Sequence, residues 1–282
     1  MRSPPPAFDT ISVHVIESQP GIQLPKFREL LAYKDLFMFL VWRQIKVRYA
    51  QSVLGIGWAV VQPLFSMVLF TIIFGNLAKM DSQGAPYALF SLAALLPWNY
   101  VSNSVTEGVA SLVAEAETMK KVYFPRILIP LSATSAKLLD FAIACIMMAT
   151  LMVIYQYPPP ATLALLPLLV ILMITTSAAV SIWLTCLAIQ YRDIKYALNF
   201  LVQLAMYASP VVYSTSLIPE QYRLAYAINP LVGVIEGFRS AILGTQAFPW
   251  DMIFVSGISS FALLASGVIF FQTKEQLFTD VA

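Results

Sequence analysis

Residues 42–63 read WRQIKVRYAQSVLGIGWAVVQP: a basic segment carrying Arg43, Lys46 and Arg48 runs without a break into a long apolar stretch. This is the pattern of a helix lying on the inner surface of a bilayer, a bend, and then a helix entering lipid. If that holds, the orientation of every later segment follows. Composition agrees. The chain is 59% hydrophobic and 11% charged, with a mean hydropathy of +0.75, whereas soluble domains carry roughly 25% charged residues. So few charges cannot wrap a core this apolar, and the bilayer must act as solvent.

The expected fold class is an all-α membrane protein. Residues 1–29 contain Pro4, Pro5, Pro6, Pro20 and Pro25 and lack an apolar run of signal-peptide length, so they read as an uncleaved cytoplasmic tail. His14 lies there with no second ligand nearby. Residues 30–49 are expected to form an interfacial helix. Asp35, Phe39, Arg43 and Lys46 fall on one arc, with Tyr33, Phe37, Leu40, Val41 and Ile45 opposite. Central charges make it a poor spanning helix.

Six apolar runs follow, at about 54–75, 88–109, 127–155, 162–189, 196–212 and 252–271. All but the fifth comfortably cover roughly 30 Å of hydrocarbon, and the fifth barely does. Residues 229–244, NPLVGVIEGFRSAILG, are apolar but short and carry Glu236 and Arg239. A re-entrant or interfacial outer helix suits that length better than a seventh crossing. Cys145 and Cys186 fall inside apolar runs and read as buried small residues rather than a disulfide framework.

Lys and Arg set the orientation. Arg2, Lys26, Arg28, Lys34, Arg43, Lys46 and Arg48 precede the first run; Lys120, Lys121 and Arg126 follow the second, Arg192 and Lys195 the fourth, and Lys274 the last. The opposite side holds only Lys79, Arg223 and Arg239. Both termini are therefore expected in the cytoplasm.

The chain has no phosphate-cradling G-x-x-x-x-G-K-[ST] loop, metal-ligand cluster or nucleophile with a histidine partner. It is expected to be a transport subunit rather than an enzyme, binding no cofactor, with energy entering through a partner or a coupled ion. Two cytoplasmic loops, 115–126 (EAETMKKVYFPR) and 191–198 (YRDIKYAL), offer matching footholds for a soluble motor. The plainer alternatives are an aromatic interface anchor in the first and solvated charges in the second. Lys137 and Asp140, three residues apart inside the third run, read as a local ion pair facing neighbouring helices. Glu107 lies near the inner end of the second run. The many aromatics suit interfacial belts and packing; a sharper reading is that some line a path along which sugar rings stack.

Four ordered motifs carry a family resemblance: residues 42–64, 120–132 (KKVYFPRILIPLS), 191–198 followed by SPVVY at 209–213, and 229–239 (NPLVGVIEGFR). From about residue 30 onward the chain resembles the transmembrane subunits of bacterial ABC exporters of polysaccharides such as O-antigen, capsule and teichoic acid. The resemblance implies a homodimer in the inner membrane, working with two separate ATPase subunits that bind ATP and Mg. It implies a lipid-linked glycan as cargo and no nucleic acid. Arg48, Tyr49, Ser52 and Trp58 would lie at a lateral gate for a polyprenyl-diphosphate-linked glycan, with Arg48 contacting the diphosphate. Lys120, Lys121, Tyr123, Phe124 and Arg126 would belong to a first ATPase-coupling helix, and Arg192 and Asp193 to a second. Asn229, Glu236 and Arg239 would belong to outer re-entrant helices. Trp98, Tyr100, Tyr207 and Tyr213 are the candidate channel aromatics. The rivals are an exporter for a drug or small lipid, a membrane-embedded transferase acting on polyprenyl carriers, and an ion-coupled transporter.

Overall fold

The structure, a computed structural model, describes residues 31–50, 53–114, 124–191 and 193–274. The expected tail at 1–29 and Ser52, Lys120, Lys121, Tyr123 and Arg192 lie outside the described residues. The described residues fold as helices and connecting turns, in the order α1 (Lys34–Tyr49), α2 (Trp58–Phe70), α3 (Tyr87–Ala114), α4 (Leu128–Ala136), α5 (Leu138–Ile154), α6 (Leu166–Gln190), α7 (Asp193–Tyr207), α8 (Glu220–Tyr226), α9 (Pro230–Leu243) and α10 (Trp250–Lys274).

Among the described residues, four helical stretches are long and apolar enough to cross a membrane: Gly55–Leu77, Leu128–Ile154, Ala161–Gln190 and Trp250–Lys274. The first is α2 with a one-turn lead-in and a wider-wound extension over Thr71–Leu77. The second is α4 and α5, separated at Lys137. α3 is long, at 28 residues, but carries Asn99, Ser102, Asn103, Thr106 and Glu107 from its middle onward. α7 has 15 residues, about 23 Å of helix.

α1 has Asp35 in its first turn and Lys46 and Arg48 in its last, the arrangement its dipole favours. Leu40 is buried, and Tyr33, Leu36 and Phe37 pack over a cluster that includes Leu112, Phe124, Ile127 and Phe271. Asp35, Phe39, Arg43 and Lys46 face outward. The helix thus lies against α4 by its apolar side.

The core forms where α3, α6, α9 and α10 meet. Small residues let these helices approach. A Cβ added to Gly108 on α3 would collide with the Ser181 hydroxyl on α6. Thr176 on α6 and Ser260 on α10 share a hydrogen bond of 2.8 Å. Close backbone approach and interhelical hydroxyl bonds hold helices together where lipid removes the hydrophobic difference between inside and outside.

α9 starts at Asn229, whose side-chain oxygen accepts from Leu231 N at 3.1 Å, with Pro230 at the first helical position. It ends at Gly244, whose φ of +63° few other residues tolerate. All 14 of its residues are buried, and the helix is about 21 Å long. It is enclosed by α3, α6 and α10 rather than by lipid, which is how a short helix with a charged pair survives at such a place.

Candidate functional site

The end of α1, the C-terminal half of α3 and the α4–α5 junction bring five polar side chains together. Arg48 Nη1 donates to Asp140 Oδ2 at 2.7 Å, and Arg48 also pairs with Glu107. Lys137 Nζ lies 2.7 Å from Glu107 Oε1 and 3.9 Å from Asp140 Oδ2. The Tyr49 hydroxyl donates to the other Asp140 oxygen. Lys137 is 3% exposed, against 38% for Glu107, so the lysine is the buried member of its pair. Burial, followed by the Asp140 hydrogen bond, pushes the Tyr49 phenol up to about 12. It therefore stays a neutral donor at physiological pH. Two cations and two carboxylates balance, and Arg48 is engaged from both sides. Lys137 and Asp140 do form the expected pair, but Glu107 holds the lysine more closely.

A cavity of about 680 Å³ opens beside this cluster. Trp58, Gln62, Phe65 and Ser66 of α2 form one wall, and Asn99, Tyr100 and Asn103 of α3 face them. Phe141 adds a further aromatic surface, and Lys137 and Asp140 supply charge. The sequence reading missed Gln62, Asn99 and Asn103 and did not connect Glu107 to Arg48. One signal was present: Asn99, Asn103 and Glu107 recur every fourth residue, a polar stripe on one helix face.

A second charged group lies on α9. Arg239 Nη1 is 2.8 Å from Glu236 Oε1, and both side chains are at most 3% exposed. Arg239 also donates to the carbonyls of Pro210 (2.8 Å), Val211 (3.3 Å) and Tyr213 (3.3 Å). Its guanidinium lies 4.0 Å from the centre of the Phe90 ring. Glu236 Oε1 accepts from Thr215 N at 2.8 Å. The pair thus stitches the segment 210–215 onto α9. Asn229 Nδ2 adds bonds to Ala208 O and Ser209 Oγ.

The other sequence-predicted residues are dispersed. Trp98 is buried in the apolar core. Tyr100 is buried and donates to Thr134 O at 3.2 Å, yet it borders the cavity. Tyr207 is exposed at the end of α7. The Tyr213 hydroxyl meets that of Tyr226 at 2.9 Å. Phe124 is buried in the cluster beneath α1, so it is a packing residue as well as a loop residue. Asp193 is exposed in the first turn of α7. Among the described residues no three His, Cys, Asp or Glu side chains gather as a metal site.

The sequence model described as "ABC-2 type transporter" matches residues 35–243, most of the chain and every element of the charged cluster and cavity. The chain belongs to the ABC-2 transporter membrane family. Its relatives in this family include an O-antigen export system permease protein RfbA from Klebsiella pneumoniae, 27% identical over 88% of this chain and 95% of the relative. The protein of the same name from Myxococcus xanthus is 28% identical, covering 88% and 96% of the two chains. The polysialic acid transport protein KpsM of Escherichia coli is 21% identical, covering 84% and 92%. Family membership and the spanning helices make this a multi-pass membrane protein of the permease kind, a subunit type that is not itself an enzyme.

Proposed function

We propose that this chain is the membrane subunit of an ATP-driven exporter that moves a polyprenyl-diphosphate-linked polysaccharide, of the O-antigen kind, across the bacterial inner membrane. The observation that carries the reading is the end-to-end similarity to permeases named for O-antigen export, over 88% of this chain and 95–96% of theirs. Two copies work with two ATPase subunits, which bind ATP and Mg. Both termini are cytoplasmic. α3 and α7 complete six crossings, and α9 is a re-entrant outer helix. Residues 1–29 form a cytoplasmic tail and 30–282 the transporter domain.

The exposed apolar faces of α2 (Phe65, Val68, Leu69) and α7 (Phe200, Leu204, Tyr207) support a gate between one copy's α2 and the other's α7. Arg48 and Tyr49 stand at the foot of α2, where a diphosphate headgroup would arrive. Arg48 is already held by Glu107 and Asp140. An incoming diphosphate must therefore compete with both carboxylates, which makes headgroup binding and release of the α1–α2 elbow one event. The segments around Phe124–Arg126 and Arg192–Asp193 receive the ATPase.

Deleting the gene tests the reading. The expected result is loss of surface polysaccharide with lipid-linked glycan retained inside, restored by the intact gene. Unchanged surface glycan with a resistance or lipid phenotype would instead identify a drug or small-lipid exporter.

A further inference from the structure

Gln62, Asn99 and Asn103 present three primary amides to the cavity, and none has a hydrogen-bond partner among the described residues. Gln62 and Asn103 are exposed and Asn99 half-exposed. A primary amide in a membrane protein is costly to leave without a polar partner, so a polar occupant of the cavity would satisfy these groups. Their arrangement is ordered. Trp58, Gln62 and Ser66 stand four residues apart on α2, and Asn99 and Asn103 stand four apart on α3. One amide of α2 thus borders the same cavity as two amides of α3, which are about 6 Å apart along their helix. Trp58, Tyr100 and Phe141 supply aromatic surface on the same walls.

We propose that this cavity binds the sugar rings next to the diphosphate, so that the transporter reads the reducing-end saccharide of its cargo as well as the headgroup. The inference rests on the export reading above. Its chemistry fits a pyranose and little else. Amides donate to and accept from ring hydroxyls, aromatic surface covers the apolar C–H face of a ring, and the cation-carboxylate cluster at the inner end marks where the diphosphate attaches. A polyprenyl chain would leave the amides unpaired. A bare inorganic ion would leave the aromatic surface unused.

The experiment compares two probes on the complete transporter, with its ATPase, in lipid nanodiscs. One is polyprenyl diphosphate bearing a disaccharide of the native glycan; the other is polyprenyl diphosphate without sugar. The wild type is expected to bind the sugar-bearing lipid at least tenfold more tightly. The double variant Asn99→Ala/Asn103→Ala is expected to lose most of that preference, bringing the ratio close to one. Gln62→Met, similar in size and on the opposite helix, gives an independent reading should the double variant fail to assemble. Equal affinities of the wild type for the two lipids, or an unchanged ratio in the variants, overturns the inference alone. Binding of neither lipid overturns the export reading and the inference with it.

Discussion

Lys137 is 2.7 Å from Glu107 on another helix and 3.9 Å from Asp140 on its own. The tertiary partner, not the sequence neighbour, holds this lysine. It sits where the helix is interrupted between α4 and α5, so the ion pair ties that break to α3.

The two ends of this pair should respond differently to removal. Glu107→Gln leaves a 97%-buried ammonium with only the more distant Asp140. Lys137→Met removes the buried cation and leaves Glu107 with Arg48. Removing one member of a buried pair costs about 3–5 kcal/mol, less here because Glu107 is partly exposed. The thermal midpoint in detergent should fall further for Glu107→Gln than for Lys137→Met. The reverse order would show that the lysine is stabilised by something else.

Arg239 offers a sharper test of buried charge. Arg239→Met would strand Glu236 and three carbonyls at 210, 211 and 213, a loss of about 3–5 kcal/mol. Arg239→Lys should rescue little, since an ammonium lacks the planar fork that serves several acceptors at once. Yield of folded protein and its melting temperature report both; near-wild-type behaviour of the lysine variant would argue that the fork is unused.

Asn229→Ala removes the cap of α9 and two bonds to the 208–209 segment. The cap alone is worth about 1 kcal/mol, and each neutral hydrogen bond adds about 1 kcal/mol. Hydrogen exchange should rise at the start of α9 while α6 and α10 stay protected. Uniform protection across all three would mean the cap contributes nothing local.

Gly108→Val pushes a branched side chain into Ser181. Overpacking of this kind costs about 1–3 kcal/mol. Ser181→Ala, which takes away the hydroxyl it strikes, should recover part of the loss. No recovery would place the clash with the rest of α6.

Arg126 and Phe124 can be separated on the proposed ATPase face. Phe124→Ala opens a buried aromatic site, costing about 3–5 kcal/mol. Arg126→Ala, at a half-buried turn position, should leave assembly intact and reduce export. Pull-down of the ATPase alongside surface glycan measures both, and full export by Arg126→Ala would remove it from the coupling path.

Much of this protein was legible in one dimension. Apolar runs and their lengths set an all-helical membrane chain, because the bilayer forces backbone groups to pair within each segment. The apolar run read at 229–244 coincides with α9, whose ends the structure caps with Asn229 and Gly244, because capping is local chemistry. Partners across helices were not legible. Nothing in the spacing of Arg48, Glu107 and Lys137 says that they meet, since they lie on separate elements whose rotation is set by small residues such as Gly108 and Ser181. The chain order dictated which pieces enter lipid. Only packing decided which faces turn inward, and so built the charged cluster and the amide-lined cavity.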